Sequence, residues 1–235
     1  LLSANKQKNS LADPGAQKRK RLFDLFFSLS ALILLLPALL TIACLLLFLQ
    51  GRPIFYREDR VGRNGDPFSI HKFRTMKAGS HLRSSVAASN DPGITTTGVW
   101  LKRLRLDELP QLINVLKGDM SMVGPRPVSQ KHLSSLDPQR ASALLAIKPG
   151  MISPAALLFI AEDDYLSTVS DAEAVYIKIL LPAKIQMQLG CQESWSLAGD
   201  VLVITDVLWR IWRKQTWTDS GEYLNSLEKF DDLAN

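Results

Sequence analysis

The chain is poor in the residues that mark the commonest enzyme classes. Its two cysteines, Cys44 and Cys191, stand 147 positions apart, so no disulfide framework or CxxC pair is available. The three histidines, His71, His81 and His132, have neither HxxxH nor HExxH spacing, which excludes a zinc hydrolase. No GxGxxG fingerprint, GxxxxGK[ST] loop or GxSxG elbow occurs, so dinucleotide folds, P-loop enzymes and α/β-hydrolases lose their usual signatures. Global disorder is excluded by the opposite kind of evidence, since 46% of the 235 residues are hydrophobic and a real core is within reach.

Charge is unevenly placed. Residues 1–77 carry 13 Lys+Arg against 5 Asp+Glu, net +8, while the remaining 158 carry 15 against 18, net −3. A basic front end fits nucleic acid or an anionic membrane surface. The choice falls on the membrane, because no charge occurs in the 27 positions from Leu25 to Gly51 and no aromatic-basic RNA motif is present. As one helix this segment runs roughly 40 Å against a hydrocarbon core of about 30 Å. A cleaved signal peptide is a poor match, the apolar stretch being too long and lacking a small-residue cleavage site.

Both flanks are basic: Lys18-Arg19-Lys20-Arg21 before the segment, and Arg52, Arg57, Arg60 and Arg63 after it. Positive flanks mark the cytoplasmic side, so a straight span would place one cluster wrongly. Pro37 lies near the middle, where its missing N–H and bulky ring predict a kink. Each arm then reaches only about 18–21 Å, too short to cross. The expectation is a re-entrant helix-break-helix entering and leaving one face, a kinked spanning helix being the alternative, with Asp24 pairing into the basic cluster at headgroup level.

Beyond the segment, residues 52–77 alternate apolar runs and turns and predict a β-hairpin or a strand and turn. Residues 78–98 read as a Ser/Thr/Gly/Ala-rich loop. Helices are predicted within 100–116, with a break near Leu106-Asp107, then over 129–146, 171–189 and 199–213. Pro182 predicts a kink or boundary in the third of these. Trp209, Trp212 and Trp217 beside Arg210, Arg213 and Lys214 fit either an interfacial helix or a core helix with a snorkelling cationic end.

The densest chemistry is Leu106-Asp107-Glu108-Leu109-Pro110-Gln111. Pro110 suits a first helical turn, which places Asp107 at or next to an N-cap, where backbone donors favour its ionised form. An arbitrary DExP is no more than a cap with a first-turn Glu. Here Lys102, Arg103 and Arg105 precede it and Gly124-Pro125-Arg126-Pro127 follows, with Lys72 and Arg74 as further cations. Paired carboxylates among cations suit phosphoryl transfer, in which an Asp serves as nucleophile.

These residues resemble the bacterial sugar transferase family, the small monotopic phosphoglycosyl transferases. The resemblance covers Lys20 to about Trp212. It rests on Lys20-Arg21-x-x-Asp24, Pro37, Arg60-x-Gly62, Lys72-Phe73-Arg74-Thr75-Met76, and the 22-residue run from Leu106 to Pro127. The resemblance implies transfer of a phospho-sugar from a nucleotide diphosphate sugar, a UDP-sugar first, to polyprenyl phosphate. It implies a covalent intermediate on Asp107, Mg²⁺ held with help from Glu108, and phosphate or nucleotide binding by Arg126. Lys72, Arg74, Lys102, Arg103 and Arg60 complete the expected substrate-binding set.

The chain departs from the family pattern at Leu36, where Ser is common, at Glu58, often Gln, and at Lys102, usually Arg. Met151-Ile152-Ser153-Pro154-Ala155-Ala156 with the acidic Glu162-Asp163-Asp164 resembles a sub-branch, and this region is expected to bear on donor choice.

The expected fold class is α+β, mostly helical. Its parts are a flexible N-terminus (1–17), the basic flank and re-entrant helix kinked at Pro37 (18–51), a cytoplasmic catalytic domain with amphipathic interfacial helices (52–217) and a C-terminal tail (218–235). The expected location is the bacterial inner membrane, with the catalytic domain on the cytoplasmic face. Partners are the nucleotide-sugar donor, polyprenyl phosphate and membrane phospholipids, not nucleic acid, and a homo-oligomer is compatible. The contrasting reading is an inactive membrane-anchored scaffold of the same fold.

Overall fold

A computed structural model describes residues 11, 13–77, 91–153, 166, 169, 171–192 and 195–212. Helix α1, Pro14–Gln50, is the longest element. Asp13 caps it by accepting the Ala16 N–H at 2.8 Å, and Pro14 fills the first turn, where a missing N–H costs nothing. The helix thus begins four residues before the basic flank. It ends at Gly51, whose φ of 68° lies in the left-handed region. Pro37 does not end the helix, which continues through it as one 37-residue element. Pro37 has no N–H for the preceding turn, and the Thr41 hydroxyl donates to its carbonyl at 2.8 Å.

One face of α1 is covered and the other is bare. Lys20, Asp24, Ser28, Ile42 and Leu46 are buried, whereas Leu22, Phe26, Ile33, Leu34 and Phe48 are 66–86% exposed. This excludes a core helix, which would be covered on all sides, and α1 is long and apolar enough to cross a membrane. Both halves pack on the same polar domain. Phe23, Phe27, Ala31 and Leu32 join the main core with Ile70, Leu112, Val115, Met120, Met122 and Val123. Leu39, Ile42, Ala43 and Leu46 join a second cluster with Phe73 and Leu101.

The predicted hairpin is present. β1 (Phe55–Val61) pairs antiparallel with β2 (Pro67–Phe73), in a register that sets Tyr56 against Lys72 and Glu58 against Ile70. Period-two alternation turns Tyr56, Glu58 and Arg60 toward the domain and leaves Phe55, Arg57 and Asp59 exposed. Helix α2 (Thr96–Arg103) starts inside the expected loop, capped by Thr95, whose hydroxyl accepts the Gly98 N–H. A left-handed Arg105 (φ 55°) then breaks the chain direction where a break was expected, leading into a 3₁₀ turn, Leu106–Gln111, and α3, Leu112–Lys117.

β3 (Ser121–Val123) pairs in parallel with β4 (Gly150–Ile152). The region 129–146 holds two helices instead of one, α4 (Gln130–Ser134) and α5 (Pro138–Leu145). The reason is local: the Asp137 carboxylate caps a new helix at the Gln139 and Arg140 amides, with Pro138 in its first turn. Next come α6 (Ala172–Val175), a π-helical turn (Tyr176–Leu180) and α7 (Leu181–Gln192). The π turn stands immediately before Pro182, so the proline is absorbed as a change of helical register. Helix α8 (Leu197–Trp212) lays Ile204 into the main core and leaves Leu202 and Trp209 exposed. Trp217 and the acidic residues 162–164 lie outside the described residues, as do the side chains of Arg210 and Trp212.

Polar contacts fix α1 to this body. Lys20 Nζ lies 2.6 Å from Asp200 Oδ2 on α8 and 3.9 Å from Asp24 Oδ1, so the pairing of Asp24 with the basic cluster is present. Asp24 Oδ1 also accepts the Ser121 hydroxyl and the Met122 N–H, both at 2.9 Å. Arg21 donates to the Val115 and Leu116 carbonyls at 2.6 and 2.8 Å, adding a charged donor at the end of α3. Asn114, fully buried, ties the hairpin to α3: it accepts from the His71 N–H at 3.2 Å and donates to the Ser69 carbonyl at 2.8 Å.

Candidate functional site

Asp107 and Glu108 sit in the 3₁₀ turn packed against β2. Both are buried, at 7% and 8% exposure, which is exceptional for adjacent carboxylates. Glu108 is anchored through one oxygen: Arg126 Nη2 donates to its Oε1 at 2.7 Å and Lys72 Nζ lies 3.7 Å from the same oxygen. Burial alone would raise the Glu108 pKa, but Arg126, then Lys72 and Arg105, outweigh it and hold the group well below the usual carboxylate range.

Asp107 is the opposite case. Its Oδ1 is buried and has no hydrogen-bond partner among the described residues. Burial first, and the neighbouring Glu108 charge second, push its pKa up, while Lys72, Arg105 and Lys102 pull it down without prevailing. This corrects the sequence expectation. Asp107 is not the N-cap, a position occupied by Arg105, which offers no side-chain cap bond, so helix-end donors do not secure its ionised form. The pair is split into one anchored carboxylate and one uncommitted carboxylate, a division that acid–base and nucleophilic sites use.

The expected cations fall into two groups. Lys72, on β2, faces Glu108 and also reaches Glu58 Oε2 at 3.7 Å; Lys102, at the end of α2, bears electrostatically on Asp107. Arg126 is held between Pro125 and Pro127. The backbone beneath it is pinned where β4 crosses Gly124: a Cβ on Gly150 would lie 2.1 Å from the Gly124 nitrogen, so only glycine permits this approach. Arg60 stands one step removed, paired with Glu58 and donating to the Pro127 carbonyl at 3.3 Å. Arg74 is directed elsewhere: it donates to the Gln50 and Gly51 carbonyls at 2.6 and 3.1 Å, closing the end of α1. Arg103 is exposed on α2.

Two contributors were absent from the expected set. Arg105 acts on both carboxylates through its left-handed turn. Glu58 links Arg60 to Lys72, and its signal was the strand alternation that puts positions 56, 58 and 60 on one face.

The donor set suits a hard divalent cation. Mg²⁺ characteristically takes one or two protein carboxylates and completes its shell with water and substrate phosphates. The bare, buried Oδ1 of Asp107 beside Glu108 offers such a partial shell. No cluster of three or more His, Cys, Asp or Glu ligands occurs among the described residues, so a dedicated protein cage is not what is built here.

The raised Asp107 pKa has a thermodynamic consequence. A folded-state pKa above the unfolded one means that ionisation opposes folding, and the penalty grows as pH rises from about 4. Asp107→Asn is therefore expected to melt at a higher temperature than the parent at neutral pH. The difference should disappear below about pH 3, where Asp107 is protonated in both states. Thermal melts across pH check this, and a destabilised Asn variant at neutral pH would contradict it.

Comparison with known proteins adds to this geometry. The chain is 38% identical over 148 residues to the exopolysaccharide production protein ExoY of Rhizobium meliloti, covering 56% of this chain and 65% of that one. It is 38% identical over 165 residues to the undecaprenyl-phosphate galactose phosphotransferase of Salmonella typhimurium, covering 61% and 33%. It is 41% identical over 114 residues to the UDP-glucose:undecaprenyl-phosphate glucose-1-phosphate transferase of Escherichia coli, covering 48% and 25%. The chain thus spans less than two thirds of the length of each of these relatives. The family model for bacterial sugar transferases matches residues 15–214, which include α1, the hairpin and the carboxylate pair, and the chain belongs to that family.

Proposed function

We propose that the chain transfers a phospho-sugar from a nucleotide diphosphate sugar, a UDP-sugar first, to polyprenyl phosphate, with Asp107 as nucleophile. The observation that carries this reading is the buried Asp107 carboxylate with an unbonded oxygen, set among Lys72, Lys102 and Arg105 beside an anchored Glu108. In the first step an Asp107 oxygen attacks the β-phosphorus and the diphosphate P–O bond breaks. The electron pair leaves on the nucleoside monophosphate, and the sugar phosphate stays as an acyl-phosphate. In the second step a polyprenyl phosphate oxygen attacks the same phosphorus and returns the Asp107 carboxylate.

The chain's residues have distinct parts in this scheme. Lys72, Lys102 and Arg105 favour the ionised nucleophile once substrate arrives, and they balance charge on the phosphoryl oxygens. Arg126, planar and rigidly mounted, presents a guanidinium suited to phosphate while it holds Glu108. Glu108 would help hold Mg²⁺, which would supply charge compensation to the diphosphate. Arg60 orders the loop bearing Arg126, and Arg74 secures the end of α1 beside the site.

The membrane arrangement follows from α1. Both of its halves pack on one domain and both flanks are basic, so we place the helix in the cytoplasmic leaflet of the bacterial inner membrane, entering and leaving the same face. That brings Asp107 to the depth of a lipid phosphate. The names of the relatives, which include undecaprenyl phosphate, a UDP-sugar and exopolysaccharide production, support the acceptor, the donor class and a place in bacterial polysaccharide assembly.

Two outcomes follow. With polyprenyl phosphate, Mg²⁺ and a panel of UDP-sugars, the reconstituted chain releases UMP with at least one donor, and Asp107→Asn lowers the rate by about 10³-fold or more while remaining folded. A folded parent that releases nothing with any nucleotide sugar would favour the scaffold reading. For topology, single cysteines at Lys18 and Arg57, with Cys44 and Cys191 replaced by Ser, should both react with an impermeant thiol reagent from the cytoplasmic side only. Labelling from opposite sides would establish a spanning helix.

A further inference from the structure

A cavity of about 330 Å³ opens beside the first turns of α1, away from the carboxylate pair. Its wall includes five cations, Lys18, Lys20, Arg21, Arg63 and Lys148, and a single carboxylate, Asp24. Lys20 and Asp24 are accounted for by each other and by Asp200. The other four end in no ion pair among the described residues. Arg21 spends its guanidinium on the neutral carbonyls of Val115 and Leu116, and Arg63 Nη1 donates to Gln17 Oε1 at 3.0 Å.

Two of these cations share one spot: Arg21 Nη2 and Lys148 Nζ lie 3.3 and 3.5 Å from the point where a Cβ on Gly118 would stand. Arg63 Nε is buried with no hydrogen-bond partner among the described residues. Burial, followed by the charges of Arg21 and Arg63, pushes the Lys148 pKa down, although Asp24 and Asp119 oppose this. Like charges gathered in a concave, partly apolar wall repel one another, and an anion between them relieves that repulsion with charge-assisted hydrogen bonds.

The position indicates which anion. Lys18 and Arg21 lie within about one helical turn of Leu22, where the bare apolar surface of α1 begins, with Leu22 and Phe26 each 68% exposed. That is the depth at which basic side chains meet lipid phosphates. No lining residue is among the groups that act on Asp107 or Glu108, so occupancy here leaves the reaction centre free.

We propose that this cavity is a second phosphate-ester site, distinct from the Asp107 centre, which takes the headgroup of an anionic phospholipid and fixes the depth of the domain on the membrane. The test uses the full chain, delipidated in neutral detergent, with native mass spectrometry reading bound lipid and thermal melting reading stabilisation. One arm offers phosphatidylglycerol against phosphatidylcholine, and the other offers inorganic phosphate alone.

The parent should retain phosphatidylglycerol preferentially. Arg63→Gln with Lys148→Gln should reduce that retention roughly 10- to 30-fold, while Arg63→Lys with Lys148→Arg should keep it. Stabilisation by inorganic phosphate that is lost in the Gln pair, without any lipid preference, would uphold the site and assign it to a soluble phosphate. Equal retention of both lipids with no phosphate effect would overturn the proposal. So would a preference unchanged in a Gln pair whose circular dichroism matches the parent. Neither readout depends on turnover, so failure here is separable from failure of the transferase reading.

Discussion

A helix with one bare apolar face and the domain packed on its other face are joined along one strip of α1, and the rest of the architecture depends on how that strip is held. The buried Lys20 and Asp24 and the half-buried Arg21 do this with charge and hydrogen bonds. Such contacts contribute little net stability when complete, because desolvation offsets most of the attraction, but breaking one partner away costs roughly 3–5 kcal/mol. Their value is in register. Lys20 meets α8, Arg21 meets the end of α3, and Asp24 meets β3, so one helical turn sets the angle of α1 against three elements at once. At the other end, Arg74 holds the Gln50 and Gly51 carbonyls, and Leu46 packs with Phe73 and Leu101.

That register carries through to the chemistry. β2, which follows α1 through the hairpin, brings Lys72 to Glu108, and Asn114 fixes β2 to the helix that continues from the carboxylate turn. The Gly124–Gly150 crossing sets the backbone below Arg126. Glu108 is thereby committed and Asp107 left available. The electrostatic asymmetry between adjacent carboxylates follows from where Arg126, Lys72 and Arg105 land.

Much of this was legible in the sequence, and the exceptions share a cause. The hairpin followed from alternation, the apolar helix from 27 charge-free positions, and the carboxylate turn from Pro110 with its surrounding cations. Local signals failed where a distant group took over. Arg74 read as a phosphate ligand, but it lies within reach of the carbonyls that end α1. Asp107 read as a capped, readily ionised Asp, because neither Arg105 adopting a left-handed conformation nor the depth of burial can be seen in DExP. The single helix expected over 129–146 overlooked Asp137-Pro138, a cap and first turn whose signal was present. Pro37 bears on lipid-facing geometry that spacing alone overstates, since a proline within a long apolar helix need not end it.

The central claim is that Asp107 carries the phospho-sugar covalently. Intact-protein mass measured after incubation with Mg²⁺ and a UDP-sugar, in the absence of lipid acceptor, addresses it directly. The account predicts a gain equal to one phospho-sugar, absent from Asp107→Asn and discharged on adding polyprenyl phosphate. A parent that gains no mass with a donor it turns over, even when quenched within a single turnover, would contradict the covalent route and indicate direct transfer between the two substrates.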